Sequence, residues 1–328
     1  MNTIEFDNSI RTKANLKKTA FLFPGQGSQA IGMGQDIYQA YKPIREFFEM
    51  ASDIIKINLP KLIFQGEMED LIMTVNLQPA ITVVNLSFLA VLSDESINPD
   101  ITAGHSLGEY SALRASGALT VEDTLRLVFK RGDLMHRESL KQKGAMHAII
   151  GLPFEDVQEL VNRVAGDGKV VSVANHNTAL QIVITGSPDP VEKVSSLAAD
   201  RGARTIPLKV SGAWHSELIR GAEEEFKTFL ETATFSKPKI PVVHNVTADV
   251  STDPDEIRTI MAQQLCSPVR WYDSMIRMTE NEVENFVEIG PGRVLTGLLR
   301  KILPGDYSYN AFNVNTLKNL EKFMQEVT

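Results

Sequence analysis

A serine between two glycines is the most suggestive chemical feature of the sequence. Gly104-His105-Ser106-Leu107-Gly108 fits the pattern G-x-S-x-G, in which a serine lies on a sharp turn between a strand and a helix. An apolar stretch precedes the pattern and a small-residue helical stretch follows it. Such a turn exposes the hydroxyl near a helix N-terminus, where the backbone N–H of Leu107 can point at an oxyanion. This context favours a nucleophilic serine over a chance strand-to-helix turn.

A serine nucleophile needs a base, and the sequence offers six histidines. His215 lies in KVSGAWHSELI, where a predicted strand ends and a predicted polar helix begins, although a capping or half-buried histidine fits the same position. No acid stands out between Ser106 and His215 as a third catalytic member. The sequence therefore predicts a Ser/His dyad whose imidazole is oriented by a carbonyl oxygen. No H-E-x-x-H spacing or His/Cys cluster occurs, so we expect no metal.

A glycine-rich loop follows the first apolar stretch. Residues 25–30, GQGSQA, also fit the dinucleotide fingerprint G-x-G-x-x-G/A, with Glu46 near the position of a ribose-binding acid. That alternative is disfavoured because Pro24 directly precedes the first glycine and because it leaves the serine turn unexplained. We expect instead that the loop brings the backbone N–H of Gln26 close to an anionic reaction centre, and we expect no bound cofactor.

The residues around these motifs predict alternating strands and helices. The apolar stretch TAFLF predicts a short buried strand, and amphipathic helices are expected through about residue 94. Residues 101–117 repeat the order of strand, turn and helix, and a further helix follows Thr120 as its N-cap. The alternation resumes at 240–245 and 283–292. This pattern is typical of an α/β fold.

Residues 143–210 have a different order of elements. Strands are predicted at 144–151, 169–175, 181–186 and 203–210, and helices at 153–165 and 188–200. This βαββαβ order is that of a ferredoxin-like unit. We therefore predict a large α/β domain, residues 19–142 and 211–328, with an inserted small subdomain, residues 143–210, and one cleft shared between them.

Composition and charge exclude several classes of protein. Of the 328 residues, 43% are hydrophobic and 23% charged, which is ordinary for a globular protein. A net charge of −8 disfavours nucleic acid and anionic membranes as partners. The single cysteine, Cys266, cannot form an intrachain disulfide, and the apolar runs are shorter than a membrane span. We expect a cytoplasmic protein whose residues 1–18 are a polar extension.

Six blocks of sequence resemble one known family. They are FPGQGSQ (23–29), GHSLGEYSAL (104–113), LVFKRGDLM (127–135), SGAWHSELI (211–219), QQLCSPVRW (263–271) and EIGPGRVLTGLL (288–299). Their types and order are similar to those of the malonyl-CoA:acyl carrier protein transacylases, over about residues 19–305. The resemblance implies an α/β-hydrolase-like large domain with a ferredoxin-like insertion, which agrees with the predicted order of elements.

The resemblance also implies roles for individual residues. Ser106 is the expected nucleophile and His215 its general base, with Gln264 positioned near His215. The backbone N–H groups of Gln26 and Leu107 are the expected oxyanion hole.

Other residues are expected to bind or support the substrate. Arg131 falls where the family keeps the arginine that binds the malonyl carboxylate, and a planar guanidinium suits that task. His105, Asn175 and Asn177 are expected to support the cleft. Trp214 departs from the smaller or phenyl side chain common in the family before the histidine, which affects the expected acyl selectivity.

The resemblance implies a freestanding, monomeric transferase that moves malonyl from malonyl-CoA to a holo acyl carrier protein of fatty acid or polyketide synthesis. Alternatives are a hydrolase acting on acyl carrier proteins, a transacylase for another extender unit, and a carrier-docking subunit without activity. Since carrier proteins are typically acidic, we expect a basic patch at the cleft mouth. Its candidate residues are Arg204, Lys209, Arg293 and Arg300.

Overall fold

A computed structural model describes residues 17–327, so residues 1–16 of the predicted extension lie outside the described part. The strands are β1 (Thr19–Phe23), β2 (Ile101–Gly104), β3 (Ala145–Ile150), β4 (Val171–Thr178), β5 (Gln181–Gly186), β6 (Arg204–Pro207), β7 (Val242–Val243), β8 (Val250–Ser251), β9 (Asn285–Ile289) and β10 (Asn310–Val314). The helices are α1 (Gln35–Ala40), α2 (Lys42–Ile55), α3 (Leu59–Gln65), α4 (Met68–Leu71), α5 (Thr74–Asp94), α6 (Gly108–Ala115), α7 (Val121–Lys141), α8 (Phe154–Val164), α9 (Pro188–Asp200), α10 (Arg220–Leu230), α11 (Pro254–Gln263), α12 (Trp271–Glu280), α13 (Val294–Ile302) and α14 (Leu317–Val327).

The larger sheet has six strands in the order β10-β9-β1-β2-β7-β8. All neighbouring pairs are parallel except β7 and β8. The apolar sequence of β1 follows from its central position, because a parallel strand covered on both faces is buried along its length. Phe23 pairs with Gly104, so β1 and β2 end at the same edge of the sheet. Loops at the carboxyl edge of such a sheet are where α/β folds bind ligands.

Helix α5 differs from the amphipathic helix that was expected before residue 94. It is buried along almost its whole length and packs against α2, α6 and α7. By length and composition it is apolar enough to cross a membrane, whereas every apolar stretch was expected from the sequence to be too short for that. However, 89% of its most apolar 18-residue stretch is buried inside the protein. Its apolar surface is therefore accounted for by the protein core: a helix surrounded by other elements needs no polar face.

The smaller sheet is antiparallel, in the order β4-β5-β3-β6. With α8 and α9 between the strands in sequence, this is the predicted ferredoxin-like βαββαβ arrangement. The two helices bury their own apolar cluster against the sheet, including Ile149, Leu160, Ile184 and Val194. The domain boundaries near residues 143 and 210 stay a prediction.

Strand β4 joins the smaller sheet to the larger domain. The backbone N–H of Val269 donates to the carbonyl of Ala174 at 2.8 Å, and the N–H of His176 donates to the carbonyl of Val269 at 2.9 Å. The His176 ring lies between the rings of Phe154 and Tyr272, at 4.8 and 4.9 Å. Paired backbone hydrogen bonds fix this junction, which brings the polar residues of β4 to the carboxyl edge of the larger sheet.

Candidate active site

Ser106 lies on the turn between β2 and α6, as the G-x-S-x-G pattern predicts. Its φ is 50°, a left-handed conformation that costs a non-glycine residue about 1–3 kcal/mol. The flanking glycines are a packing requirement. A Cβ on Gly104 would lie 1.9 Å from the carbonyl carbon of Gly108, and a Cβ on Gly108 would lie 2.0 Å from the carbonyl oxygen of Phe23.

The side chain of Asn245 holds this turn from the neighbouring strand. Its amide nitrogen donates to the carbonyl of Gly104 at 2.7 Å, and its amide oxygen accepts from the N–H of Ser106 at 2.6 Å. Asn245 is fully buried and follows β7, the strand paired with β2. Sequence reasoning missed this residue; the available signal was its position at the end of the apolar stretch 240–245.

Ser106 and His215 form the predicted dyad, with Ser106 Oγ 2.8 Å from His215 Nε2. The other ring nitrogen, Nδ1, lies 2.9 Å from the carbonyl oxygen of Gln264 and 3.0 Å from that of Ser267. Because a carbonyl oxygen only accepts, Nδ1 carries the proton and Nε2 is left to accept from the serine. The prediction that a carbonyl orients the imidazole is confirmed.

The backbone around His215 is not what was expected. The predicted strand 203–210 ends at Pro207, and no polar helix begins at the histidine. His215 instead lies in a loop with φ 60°, followed by a short 3-10 turn, Glu217–Ile219. The left-handed residue redirects the chain so that a buried ring reaches Ser106, a feature that apolar periodicity cannot indicate.

His215 is held in its neutral form. Burial, and then the positive charge of Arg131, lower the pKa of His215 to about 3. At neutral pH the ring is therefore an unprotonated acceptor for the serine proton. Burial also lowers the pKa of the neighbouring His105.

Arg131 is buried and reaches Ser106 Oγ from α7. Its Nη2 donates to Ser106 Oγ at 3.1 Å, and its Nη1 donates to the side-chain oxygen of Gln78 at 2.9 Å. The side chain is 1% exposed, and its Nε has no hydrogen-bond partner. Within residues 17–327, no carboxylate lies within ion-pair distance of it, although the charge of the buried Glu109 acts on it at longer range. A buried, charged guanidinium without a direct ion-pair partner is costly, which is the arrangement expected at a site for an anionic ligand.

Two backbone N–H groups lie beside the serine. Leu107 directly precedes α6, and Gln26 lies in the loop after β1. A Cβ on Gly25 would lie 3.5 Å from the backbone nitrogen of Leu107, so the two segments are in close contact. Among the described residues, neither N–H donates a hydrogen bond. Both residues line the cavity beside Ser106.

The same loop tests the dinucleotide alternative. In that fingerprint a helix N-terminus directly follows the glycines and binds the pyrophosphate. Here the loop is followed by turns, and α1 begins only at Gln35. The arrangement therefore lacks the helix that the fingerprint requires.

His105 and two asparagines of β4 form a polar wall. His105 Nε2 lies 2.8 Å from the side-chain oxygen of Asn177, and the His105 ring lies 5.4 Å from that of Trp271. Asn175 is buried and lines the cavity beside Ser106. His105, Asn175 and Asn177 were predicted to support the cleft, and the structure brings all three to the site.

A buried carboxylate, Glu109, connects the parts of the site. It accepts from His244 Nδ1 at 2.8 Å, from the N–H of Asn245 at 3.3 Å and from the side-chain amide of Gln264. The Gln264 amide also donates to the carbonyl of Ser106 at 3.0 Å. Gln264 thus contacts the histidine through its carbonyl and the serine through its side chain. Glu109 and His244 were missed, although Glu109 lies in the most informative block of the sequence.

The site opens into a cavity of about 100 Å³, a size suited to a short acyl group. The cavity is lined by Gln26, Gln78, His105, Ser106, Leu107, Arg131, Met135, Met146, Asn175, Leu208, Val210, Trp214 and His215. Lys209 is exposed and lies between two lining residues, and Arg204, Arg293 and Arg300 are also exposed. Cys266 is free and half-buried, and burial raises the pKa of its thiol to about 12.

Among residues 17–327 there is no cluster of three or more histidine, cysteine, aspartate or glutamate side chains that would hold a metal ion. The polar groups that line the cavity include a hydroxyl, an imidazole and a guanidinium. This set fits nucleophilic acyl chemistry with an anionic acyl group.

Comparisons with known proteins agree with this geometry. A sequence model of the acyl transferase domain matches residues 20–322. The malonyl CoA-acyl carrier protein transacylase of Bacillus subtilis is 43% identical over 288 residues, which cover 88% of this chain and 91% of the relative. The corresponding protein of Staphylococcus aureus strain MRSA252 is 38% identical over 88% of this chain and 93% of the relative.

Solved structures are similar over nearly the whole chain. An acyl carrier protein S-malonyltransferase from Vibrio cholerae has a TM-score of 0.88 and 38% identity, with 93% of this chain and 99% of that chain covered. A malonyl-transacylase in complex with a type II polyketide synthase acyl carrier protein has a TM-score of 0.89 and 37% identity, with 94% and 99% covered. The chain therefore belongs to the acyl transferase family and, within it, to the malonyl-CoA:acyl carrier protein transacylases.

Proposed function

We propose that this protein transfers the malonyl group from malonyl-CoA to the phosphopantetheine thiol of an acyl carrier protein through a malonyl-serine intermediate. The observation that carries the proposal is the contact of one hydroxyl, Ser106 Oγ, with both a neutral imidazole and a buried, unpaired guanidinium. The names of the related proteins support the same substrate and acceptor.

In the first half-reaction, Ser106 Oγ attacks the thioester carbon of malonyl-CoA, and His215 Nε2 takes the hydroxyl proton. The negative charge moves to the carbonyl oxygen, which accepts from the N–H groups of Gln26 and Leu107. The intermediate collapses when the bond from carbon to sulfur breaks. His215 returns its proton to the leaving thiolate, so coenzyme A departs as a thiol and the serine carries the malonyl ester.

In the second half-reaction, the phosphopantetheine thiol of the carrier protein takes the place of coenzyme A. His215 removes the thiol proton, the sulfur attacks the ester carbon, and the same backbone N–H groups hold the oxyanion. Breaking the ester bond returns the proton to Ser106 Oγ. Every proton and charge is supplied by these groups and the substrates, so the proposed chemistry requires no cofactor or metal.

Arg131 supports a dicarboxylyl substrate over a simple acyl chain. A guanidinium binds a carboxylate through charge-assisted hydrogen bonds, each of which contributes about 1.5–3 kcal/mol. An acetyl group or a longer acyl chain would leave the buried charge unpaired. A hydrolase of simple acyl carrier esters, in which water replaces the second thiol, is for that reason the weaker alternative.

The carrier protein must approach a chain whose net charge is −8. We propose that Lys209, Arg204, Arg293 and Arg300 supply the positive surface that an acidic carrier requires. Lys209 supports this placement because it is exposed beside the cavity lining. We further propose that the protein is a monomer and that it acts in the cytoplasm, where coenzyme A thioesters and carrier protein meet.

The decisive experiment is intact-mass analysis of the wild-type protein and of Ser106→Ala after brief incubation with malonyl-CoA, followed by addition of holo carrier protein. We expect a malonyl adduct on the wild type alone, discharged onto the carrier. An adduct that water removes equally fast without carrier would indicate the hydrolase. No adduct with malonyl-CoA or acetyl-CoA would indicate a docking subunit.

A further inference from the structure

The free site holds Arg131 in an arrangement that must change before the reaction. Its guanidinium donates to Ser106 Oγ at 3.1 Å, while the same oxygen lies 2.8 Å from His215 Nε2. The nucleophile is therefore shared between a cation and its base. A guanidinium on the attacking oxygen stabilises negative charge there, whereas in the transition state that charge must move to the carbonyl oxygen. The contact with Arg131 consequently opposes the attack.

A second effect comes from the same cation. The groups that face His215 are Arg131, His105, Ser106 and the carbonyls of Gln264 and Ser267. The ring becomes positively charged when it accepts the serine proton. In a buried site, the nearby charge of Arg131 makes this imidazolium less stable.

We propose that the free carboxylate of the substrate activates the nucleophile as well as binding the acyl group: it draws the Arg131 guanidinium off Ser106 Oγ and neutralises the charge that opposes protonation of His215. This inference rests on the proposed function. It adds that the enzyme selects a dicarboxylyl group by accelerating the acylation of Ser106, and not by binding alone. A carboxylate two bonds from the thioester carbon is within reach of a guanidinium that contacts the attacking oxygen.

The position of Gln78 allows the carboxylate to be supplied by the protein itself. Its side-chain oxygen accepts from Arg131 Nη1 at 2.9 Å, and its nitrogen donates to Thr74 Oγ1 at 2.9 Å. Gln78→Glu keeps the shape of the side chain and places a negative charge against the guanidinium, and the Thr74 hydroxyl can donate to the new oxygen. This variant mimics the charge of the bound substrate in its absence.

The experiment measures the first-order rate of acyl-enzyme formation at saturating malonyl-CoA and acetyl-CoA, by rapid quenching and intact mass. Saturation removes the difference in binding. For the wild type we expect malonyl to react at least about tenfold faster, which is about 1.4 kcal/mol of activation free energy. A ratio below threefold would overturn the proposal. For a ratio between threefold and tenfold, the pH dependence decides whether the proposal stands.

The pH dependence separates activation from simple orientation of the acyl group. Without a carboxylate, the pKa of His215 stays far below its ordinary value of 6.5, so the saturating acetyl rate should be constant from pH 5 to 8. With malonyl bound, the Arg131 contribution is offset and the pKa of His215 rises, although burial still holds it below 6.5, so the malonyl rate should begin to fall at a higher pH than the acetyl rate as the pH drops. Identical profiles for the two substrates would refute the proposal.

Variants give an independent readout. Gln78→Glu should raise the saturating acetyl rate at least threefold and lower malonyl acylation, and an unchanged or lower acetyl rate in a folded variant would count against activation. Arg126→Ala, which removes a partly exposed arginine from the same helix α7, is the matched control and should leave both rates unchanged. If the wild type forms no malonyl adduct, the proposed function itself fails. If it forms malonyl and acetyl adducts at equal saturating rates, only the proposed activation by the carboxylate fails.

Discussion

Glu109 is the residue at which a single substitution should disconnect the buried hydrogen-bond network from Ser106. Its carboxylate accepts three hydrogen bonds, from His244, Asn245 and Gln264, and it is fully buried. In Glu109→Gln, one oxygen becomes an NH2 group that cannot accept. Gln264 then either loses its acceptor or turns its amide and no longer donates to the carbonyl of Ser106.

The expected magnitude follows from these contacts. A hydrogen bond to a charged group contributes about 1.5–3 kcal/mol, and a buried donor left unpaired costs about 1–3 kcal/mol. Since one rearranged amide bears both losses, we expect the free energy of unfolding to fall by about 2–4 kcal/mol. We also expect slower acylation of Ser106, because its carbonyl and the loop that orients His215 are both held by Gln264.

Equilibrium urea denaturation and the rate of malonyl-enzyme formation measure the two effects. The control is Glu321→Gln, an exposed residue of α14, which should change stability by no more than about 0.5 kcal/mol. A Glu109→Gln protein as stable as the control would refute the assignment of the network. A destabilised protein with an unchanged acylation rate would refute the link from Glu109 to the nucleophile.

Three other predictions test separate features of the molecule. The pKa of His215 is lowered to about 3 in the folded protein, so between pH 3 and 6.5 the unfolded chain binds more protons than the folded one. The free energy of unfolding should therefore decrease as the pH falls from about 6.5 towards 3. Denaturation across this range should show a smaller decrease in His215→Asn. Arg300→Glu should raise the KM for carrier protein by up to about fivefold, since exposed charge pairs contribute at most about 1 kcal/mol, and should leave malonyl-CoA acylation unchanged; a KM independent of both the charge and the salt concentration would exclude Arg300 from the docking surface. Gly104→Ala should destabilise the protein by more than about 3 kcal/mol, because its Cβ would lie 1.9 Å from the carbonyl carbon of Gly108; thermal melting that matches the wild type would show that the turn tolerates a side chain.

Much of the fold follows from local patterns. The glycine spacing around Ser106 predicted the sharp turn, since backbone contacts between nearby residues leave no room for a Cβ at Gly104 and Gly108. The alternating apolar pattern of residues 143–210 predicted the βαββαβ order, which the antiparallel sheet confirms. The character of α5 was wrongly expected because the number of elements that cover a helix is a property of the whole fold.

The resemblance to a family identified residues whose partners no local pattern could indicate. Arg131 alone would suggest an exposed arginine on an amphipathic helix, yet it is 1% exposed and contacts Ser106 Oγ. The environment of His215 was half predicted: the carbonyl partner was expected, but the left-handed loop was not. Asn245 and Glu109 were missed because amides and carboxylates in a sequence are far more often solvated than buried.

The sequence by itself determined the sharp turn at Ser106, the order of the elements and the family, because these depend on spacings of a few residues and on blocks that keep their order along the chain. Only the tertiary structure decided what contacts Ser106. Ser106 Oγ meets Arg131 from 25 positions away and His215 from 109, and the Ser106 carbonyl meets Gln264 from 158. Contacts over such separations, together with the burial that sets the pKa of His215, exist only once the strand ends have met at one edge of the sheet.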